Sequence, residues 1–273
     1  FQKLDTVIRE CIPAGAKIRK TPHHYSRDYD FSGLICKKHI DEKRCKLSLG
    51  TLGSGNHFIE IDKDEEGSLY VFVHSGSRRL GKEVTEYYLK EGQRKLKEKD
   101  KEVPYALTCL EGQLMKDYLH DVKETQGYAM LNREIILSEL ARKMKWKIES
   151  FGESIHNYVD EKGILRKGAA DAYAGDEVII PINMKDGIIL AEEKGNPNWN
   201  FSAPHGAGRV LSREAVRNSH ILSEFQQEMK GIYSSSISKA TLDEAPFAYR
   251  CMDDILEVIG ETVCVDQIIR PIY

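Results

Sequence analysis

The sequence predicts an α+β fold in which mixed sheets are flanked by helices, and three observations carry that prediction. Apolar residues alternate in short runs, His57-Phe58-Ile59-Glu60-Ile61 and Leu69-Tyr70-Val71-Phe72-Val73-His74. Elsewhere they recur at three and four, as in Leu110, Leu114, Met115, Leu119, Met130, Leu131, Ile135, Leu137 and Leu140. The two patterns follow one another without the strand–helix–strand rhythm of a parallel sheet.

Taken in order, Phe1, Leu4, Val7, Ile8 and Cys11 form one helical face, and Ile12-Pro13-Ala14-Gly15 ends that helix. Residues 15–50 read as irregular and basic. Two paired strands follow, joined by a turn around Glu66-Gly67 and carrying His57 and His74 at their ends. Residues 82–101, dense in Lys and Glu around Tyr87, Tyr88 and Leu89, read as a helix with a solvated face. Cys109 to Ile148 gives one or two long amphipathic helices. Val178-Ile179-Ile180-Pro181-Ile182 and Gly187-Ile188-Ile189-Leu190-Ala191 read as strands about a turn at Lys185-Asp186-Gly187. Gly206 to Asn218 and Asp253 to Ile259 read as helices.

With 273 residues, 41% hydrophobic and 30% charged, the chain lies in the globular range, and no repeat or linker divides it. One domain over residues 1–273 is expected. The balance of 40 basic against 43 acidic residues, net -3, excludes a protein that coats nucleic acid through a global positive field. Any polyanion must be held locally. The six cysteines form no CxxC pair and read as reduced thiols. Without a run of about eighteen apolar residues or a signal-peptide pattern, the expectation is a soluble, cytoplasmic protein with no membrane partner.

Chemistry concentrates around His57, His74, His156 and His205. Gly53-Ser54-Gly55-Asn56-His57 and His74-Ser75-Gly76-Ser77-Arg78 surround a histidine with small residues whose backbone a ligand can approach closely. His156-Asn157 follows Phe151-Gly152-Glu153-Ser154, and Pro204-His205-Gly206-Ala207-Gly208-Arg209 opens the helix expected at Gly206. Imidazoles from separate segments suit a catalytic divalent metal, although each histidine alone is better explained by a structural role. A phosphate could approach the first turn of that helix, where free N–H groups favour anions. Arg209, Arg213 and Arg217 fall four apart and would line one stripe, with Arg78 as a further guanidinium. A capping histidine with a surface arginine row fits the same residues. Neither the dinucleotide fingerprint nor a Walker A loop is present, since Gly81-Lys82 is followed by Glu83.

Several of these motifs, in order, resemble the RtcB family of GTP-dependent RNA ligases. They are Gly50-Thr51-Leu52-Gly53-Ser54-Gly55-Asn56-His57-Phe58, His74-Ser75-Gly76-Ser77-Arg78-x-Leu80-Gly81, His156-Asn157, Ala203-Pro204-His205-Gly206-Ala207-Gly208-Arg209-Val210-x-Ser212-Arg213, and Asp243-Glu244-Ala245-Pro246-x-Ala248-Tyr249. The resemblance implies a complex α+β fold and an enzyme that joins an RNA 3′-phosphate or 2′,3′-cyclic phosphate to a 5′-hydroxyl, in RNA repair or tRNA splicing. It implies GTP and two Mn²⁺ ions. His205 resembles the nucleophile that becomes guanylylated; His57 resembles a ligand of one manganese, His74 and His156 ligands of the other. Asn56, His57, His156, Asn157, Pro181, Met184 and the segment His205, Gly206, Ala207, Gly208 resemble the nucleotide contacts. Arg78, Arg209 and Arg213 resemble basic residues near the reacting phosphates. RNA ends and GTP are the implied partners, with room for an activating protein.

Three departures qualify the match. The family's upstream Asp-x-x-Cys pair, whose thiolate bridges both metals, occurs nowhere in the chain, and the expectation is truncation upstream of Phe1 and an incomplete metal site. The loop Pro181-Ile182-Asn183-Met184-Lys185 lacks the small residues usual there. The chain ends at Tyr273, before the family's terminal lysine. A metal-dependent phosphoesterase using a metal-bound water, or a non-catalytic binder of RNA ends, remains the alternative reading of the same histidines.

Overall fold

The computed structural model describes residues 1–273, and the α+β expectation holds. The chain divides into two compact units. One, here the helical unit, comprises Gln2–Phe58 and Val73–Lys147; the other, the sheet unit, comprises Phe1, Ile59–Phe72 and Ile148–Tyr273.

In the helical unit, α1 (Gln2–Cys11) buries Leu4 and ends as expected at Ile12-Pro13. The segment expected to be irregular contains α2 (Glu42–Ser48) and two short 3₁₀ turns, which corrects the sequence reading. Its start is set by Asp41, whose carboxylate accepts the Arg44 N–H at 3.0 Å, and its apolar face is short: Cys45, with Leu49 just beyond, is buried between basic neighbours. The strands β1 (Phe58–Lys63) and β2 (Leu69–His74), whose residues 59–72 belong to the sheet unit, precede α3 (Arg78–Glu98) in the chain. The long periodic stretch is one helix, α4 (Gly112–Met144), which ends where Lys145 turns left-handed at φ 61°. Helices α3 and α4 bury Leu80, Val84, Tyr88, Tyr128 and Ile135 against Phe31, Leu34 and Leu49.

The sheet unit continues with β3 (His156–Val159), β4 (Leu165–Asp171), β5 (Glu177–Asn183), β6 (Gly187–Glu193) and β7 (Ser202–Pro204). Then come α5 (Arg213–Ser219), α6 (Leu222–Glu228), α7 (Met252–Ile259) and β8 (Val263–Pro271). Strands run in the order β2-β1-β8-β6-β5 in one sheet and β3-β4-β7 in another. The β5–β6 hairpin turns at Lys185-Asp186 as expected, with Asn183 paired to Gly187. Val178, Ile180 and Ile182 alternate into a core shared with Ile189, Ala191, Ala203, Met252, Ile255 and Ile259. Pro181 is tolerated because β5 is an edge strand.

Two differences from the sequence reading matter for function. The helix expected over Gly206 to Asn218 begins only at Arg213, with Ser212 as its cap: the Ser212 hydroxyl accepts the Ala215 N–H at 3.1 Å. Residues 206–212 instead run beside 248–250, with Val210 N–H donating to Ala248 O at 2.9 Å and Arg250 N–H to Gly208 O at 3.2 Å. Strands β3, β4, β7 and β8 carried no alternation strong enough to read. In the central β8 the apolar pattern is broken by Asp266 and Gln267, and the strand's register with β6 shifts between Leu190 and Ala191.

Candidate functional site

In the helical unit, His57 and His74 come together with ring centroids 5.7 Å apart. The loop before His57 passes close against Arg78, and at Gly53, where φ is 96°, a Cβ would collide with both the Arg78 guanidinium and the His57 ring. The His57 Nδ1 lies 2.8 Å from Leu52 O. A carbonyl only accepts, so Nδ1 carries the proton and Nε2 keeps its lone pair. Burial lowers the His57 pKa; the Leu52 contact opposes this and nearby Arg78 adds to it, so the ring is neutral at pH 7. A neutral imidazole whose other N–H is held by a backbone carbonyl is the form that binds divalent metals. Arg78 donates from Nε to Thr51 Oγ1 at 3.0 Å and from Nη2 to Gly15 O at 3.3 Å, and burial lowers its pKa. Asn56 is exposed at the tip of its loop.

In the sheet unit, His156 and His205 lie with ring centroids 4.5 Å apart and planes at 58°. His156 opens β3 opposite Ala170, and His205 follows β7, whose Pro204 pairs with Ala169. Strand β4 therefore sets both rings. Just before Ala169 on β4 stands Gly168, with φ 70°; a Cβ there would lie 3.4 Å from His205 Cε1 and 3.7 Å from Nδ1. Asn157, at φ 68° in the β3 irregularity, accepts the Gly168 N–H through Oδ1 at 2.8 Å. Its amide NH₂ points to no partner through that bond and stays available to a ligand. His205 Nδ1 is buried without a hydrogen-bond partner, although the residue as a whole is half-buried. The nitrogen open to a substrate is consequently Nε2.

The stretch after His205 folds back on β5. Ala207 N–H donates to Pro181 O at 3.1 Å, and a Cβ on Gly206 would approach that oxygen to 3.0 Å. Pro181, Gly206 and Ala207 are thus neighbours, while Met184 packs into the apolar cluster of Val216 and Phe225. In place of small residues, Asn183 closes the β5–β6 turn, its Oδ1 accepting the Lys185 and Asp186 N–H groups at 3.0 and 2.9 Å.

The expected arginine stripe is not a stripe, because Arg209 lies outside α5. It donates to Asp243 O at 2.6 Å and to Tyr249 Oη at 3.1 Å, and pairs with Glu244 at 3.2 Å. Arg213 pairs with Asp243 at 2.8 Å and also with Glu244, and Arg217 with Asp243 at 3.1 Å. The Asp243-to-Tyr249 motif is therefore the partner of the His205-to-Arg213 motif. Sequence reading placed both in order but could not show that one neutralises the other.

Sequence reading missed the support beneath His205. Arg166 of β4 is buried, pairs with Asp160, and donates to Phe201 O at 2.9 Å and Ser202 Oγ at 3.1 Å. Burial alone would raise the Asp160 carboxyl, but hydrogen bonds from Tyr173 and Arg166 hold it well below the usual range. No spacing signalled this ion pair, because its members meet only through the β3–β4 register.

The family model described as tRNA-splicing ligase RtcB matches residues 29–272. The chain belongs to the RtcB family. It is 30% identical to the tRNA-splicing ligase RtcB of Pyrobaculum aerophilum, over 83% of this chain and 59% of that protein. It is 31% identical to the RNA-splicing ligase RtcB of Escherichia coli strain K12, over 82% of this chain and 60% of that one. With the tRNA-splicing ligase RtcB of Aeropyrum pernix it shares 28%, over 93% of this chain and 65% of the other. The chain thus spans about three fifths of the length of these RtcB relatives.

The imidazoles fit a borderline divalent cation in chemical type, as His57 shows. They come in pairs, however: no group of three or more His, Cys, Asp or Glu side chains that could hold a metal ion is present.

Proposed function

We propose that this chain carries the nucleotidyl-transfer centre of an RNA ligase that joins a 3′-phosphate or 2′,3′-cyclic phosphate to a 5′-hydroxyl end, in tRNA splicing or RNA repair. The observation that carries the reading is His205: a half-buried imidazole with Nδ1 shut in against Gly168, beside a second imidazole and ahead of a segment carrying Gly206 and Gly208. Membership of a family whose relatives are named tRNA- or RNA-splicing ligases supports it.

In this reading His205 Nε2 attacks the α-phosphorus of GTP. An N–P bond forms, the P–O bond to the β-phosphate breaks, and pyrophosphate leaves. The resulting phosphoramidate is labile and passes GMP to the RNA 3′-phosphate, from which the 5′-hydroxyl oxygen then displaces it. Strand β4 holds the His205 ring, with Gly168 beneath it. Asn157 offers its free amide N–H to a phosphate oxygen. Arg78, with two donors already committed to the protein, stays fixed in the helical unit. His57 and His74 are the imidazoles that would hold Mn²⁺ in the helical unit and His156 is one that would hold it in the sheet unit; the metal would supply charge neutralisation of the phosphoryl oxygens. RNA ends are the substrate that the family's ligase names support, held locally as a net charge of -3 requires, and an activating protein is a compatible further partner.

The test is incubation with GTP labelled at the α-phosphate and Mn²⁺, followed by a denaturing gel, with His205→Ala as control. Label that survives denaturation and disappears in the variant is expected. Turnover of a phosphate ester without protein-bound label would point to the hydrolase instead.

A further inference from the structure

The helical unit holds a residue that the histidine motifs do not include and that ties both of their loops together. Asn132, on α4, is fully buried. Its Oδ1 accepts the N–H groups of Gly50 at 2.8 Å and Thr51 at 3.1 Å. Its Nδ2 donates to Thr51 O at 3.2 Å and to Ser75 Oγ at 2.9 Å. The amide orientation is dictated by these partners, since the reverse would set an NH₂ against two N–H donors. Ser75, itself buried, passes the connection on: its hydroxyl donates to Leu52 O at 2.7 Å, the same carbonyl that receives His57 Nδ1–H. The adjoining Arg133 donates to Ser75 O at 2.9 Å. One side chain thus binds the loop before His57 and the residue after His74, and reaches the His57 ring through a single hydroxyl.

We propose that Asn132 is a positioning residue that fixes the mutual placement of His57 and His74 through Ser75 and the Leu52 carbonyl. A buried amide that satisfied only itself would need no partners on two histidine loops. Here its hydrogen bonds fall on the residues that flank the rings, and none of the bonds named above goes back to its own helix. The proposal rests on the reading of His57 and His74 as metal ligands. Groups of this kind, one bond removed from a metal-binding imidazole, set its orientation and typically change metal affinity by about 10–100-fold when removed.

The experiment compares the unsubstituted protein with Asn132→Ala, Asn132→Asp and Leu140→Ala, the last a buried apolar residue about two turns further along α4. Free Mn²⁺ is followed by electron paramagnetic resonance at a temperature where all four are folded. Backbone amide exchange is measured at Gly50, Thr51 and Gly76. Asn132→Ala should weaken Mn²⁺ binding about tenfold or more and speed exchange at Gly50 and Thr51. Asn132→Asp, which keeps the acceptor for those two amides, should recover their protection. Leu140→Ala should lower the thermal midpoint at least as much and leave Mn²⁺ affinity unchanged. Equal loss of affinity in Asn132→Ala and Leu140→Ala, or unchanged exchange in Asn132→Ala, would overturn the proposal. Should the unsubstituted protein bind no Mn²⁺ that His57→Ala removes, the metal reading fails, and amide exchange alone decides the role of Asn132.

Discussion

His57 and His74 sit at strand ends whose adjoining loops are tied down by side chains, whereas His156 and His205 sit at strand ends placed by the register of β4 with its neighbours. In the helical unit the fixing agents are Asn132, Ser75, Thr51 and Arg78, each bonding to loop backbone or to one another. In the sheet unit, β4 pairs with β3 on one side and β7 on the other, and a buried Arg166–Asp160 pair clamps the segment ahead of β7. The lesson is that a loop without ladder bonds satisfies its polar groups from buried amides and hydroxyls, while a strand needs only its neighbours and one anchor. Loop support is therefore specific to individual side chains. Strand support is shared.

The largest expected effects separate the two pairs by function. His205→Ala should reduce labelling from α-labelled GTP by more than about a hundredfold with bound Mn²⁺ unchanged. His57→Ala should lower Mn²⁺ stoichiometry, read by metal analysis after gel filtration. If His205→Ala also removed metal, the division of labour between the pairs would be wrong.

Arg166→Ala comes next, because it strands a buried Asp160 carboxylate. A loss of about 3–5 kcal/mol is expected. Urea unfolding read by Trp199 fluorescence in a Trp146→Phe background should show it in the sheet unit, and a loss below about 1 kcal/mol would show that strand pairing alone supports β7.

Gly168→Ala should cost about 1 kcal/mol in backbone strain at φ 70°, and relief of that strain would shift β4 beneath the His205 ring, cutting labelling about tenfold. Gly163→Ala provides the contrast. That glycine is also left-handed, at φ 79°, but a Cβ there meets nothing within 4 Å. Equal labelling by the two variants would remove Gly168 from the account of His205.

The smallest effect is a pH dependence confined to the sheet unit. Burial, with Asp171 and Asp176 nearby, raises the Glu193 pKa to about 8. In the unfolded chain it titrates near about 4.3. The folded state therefore holds a proton that the unfolded state releases, and stability present below about pH 4 is lost as pH rises to about 8. Glu193→Gln should flatten that decline and raise the thermal midpoint above pH 8 by a few degrees. A midpoint lower than that of the unsubstituted protein at that pH would contradict it.

Much of this was legible in the sequence, for reasons that differ by unit. The alternation at Leu69 to His74 and at Val178 to Ile182, and the periodicity of α4, gave their elements nearly at the observed bounds. The glycine-flanked histidines marked both pairs. The 206–212 segment misled, because an apolar–basic spacing of four fits a helix as well as a chain that bonds sideways to residues 248–250. Asn132, Arg166 and the carboxylates facing Arg209 and Arg213 were illegible as partners, since each acts across a fold that local spacing does not encode.

The central claim, that His205 is the nucleophile, is tested most directly by mapping the label. The account predicts an acid-labile, alkali-stable guanylate on the peptide carrying His205, located by mass spectrometry after labelling with GTP and Mn²⁺. Guanylate found on another residue, or an adduct that persists in His205→Ala, would contradict it.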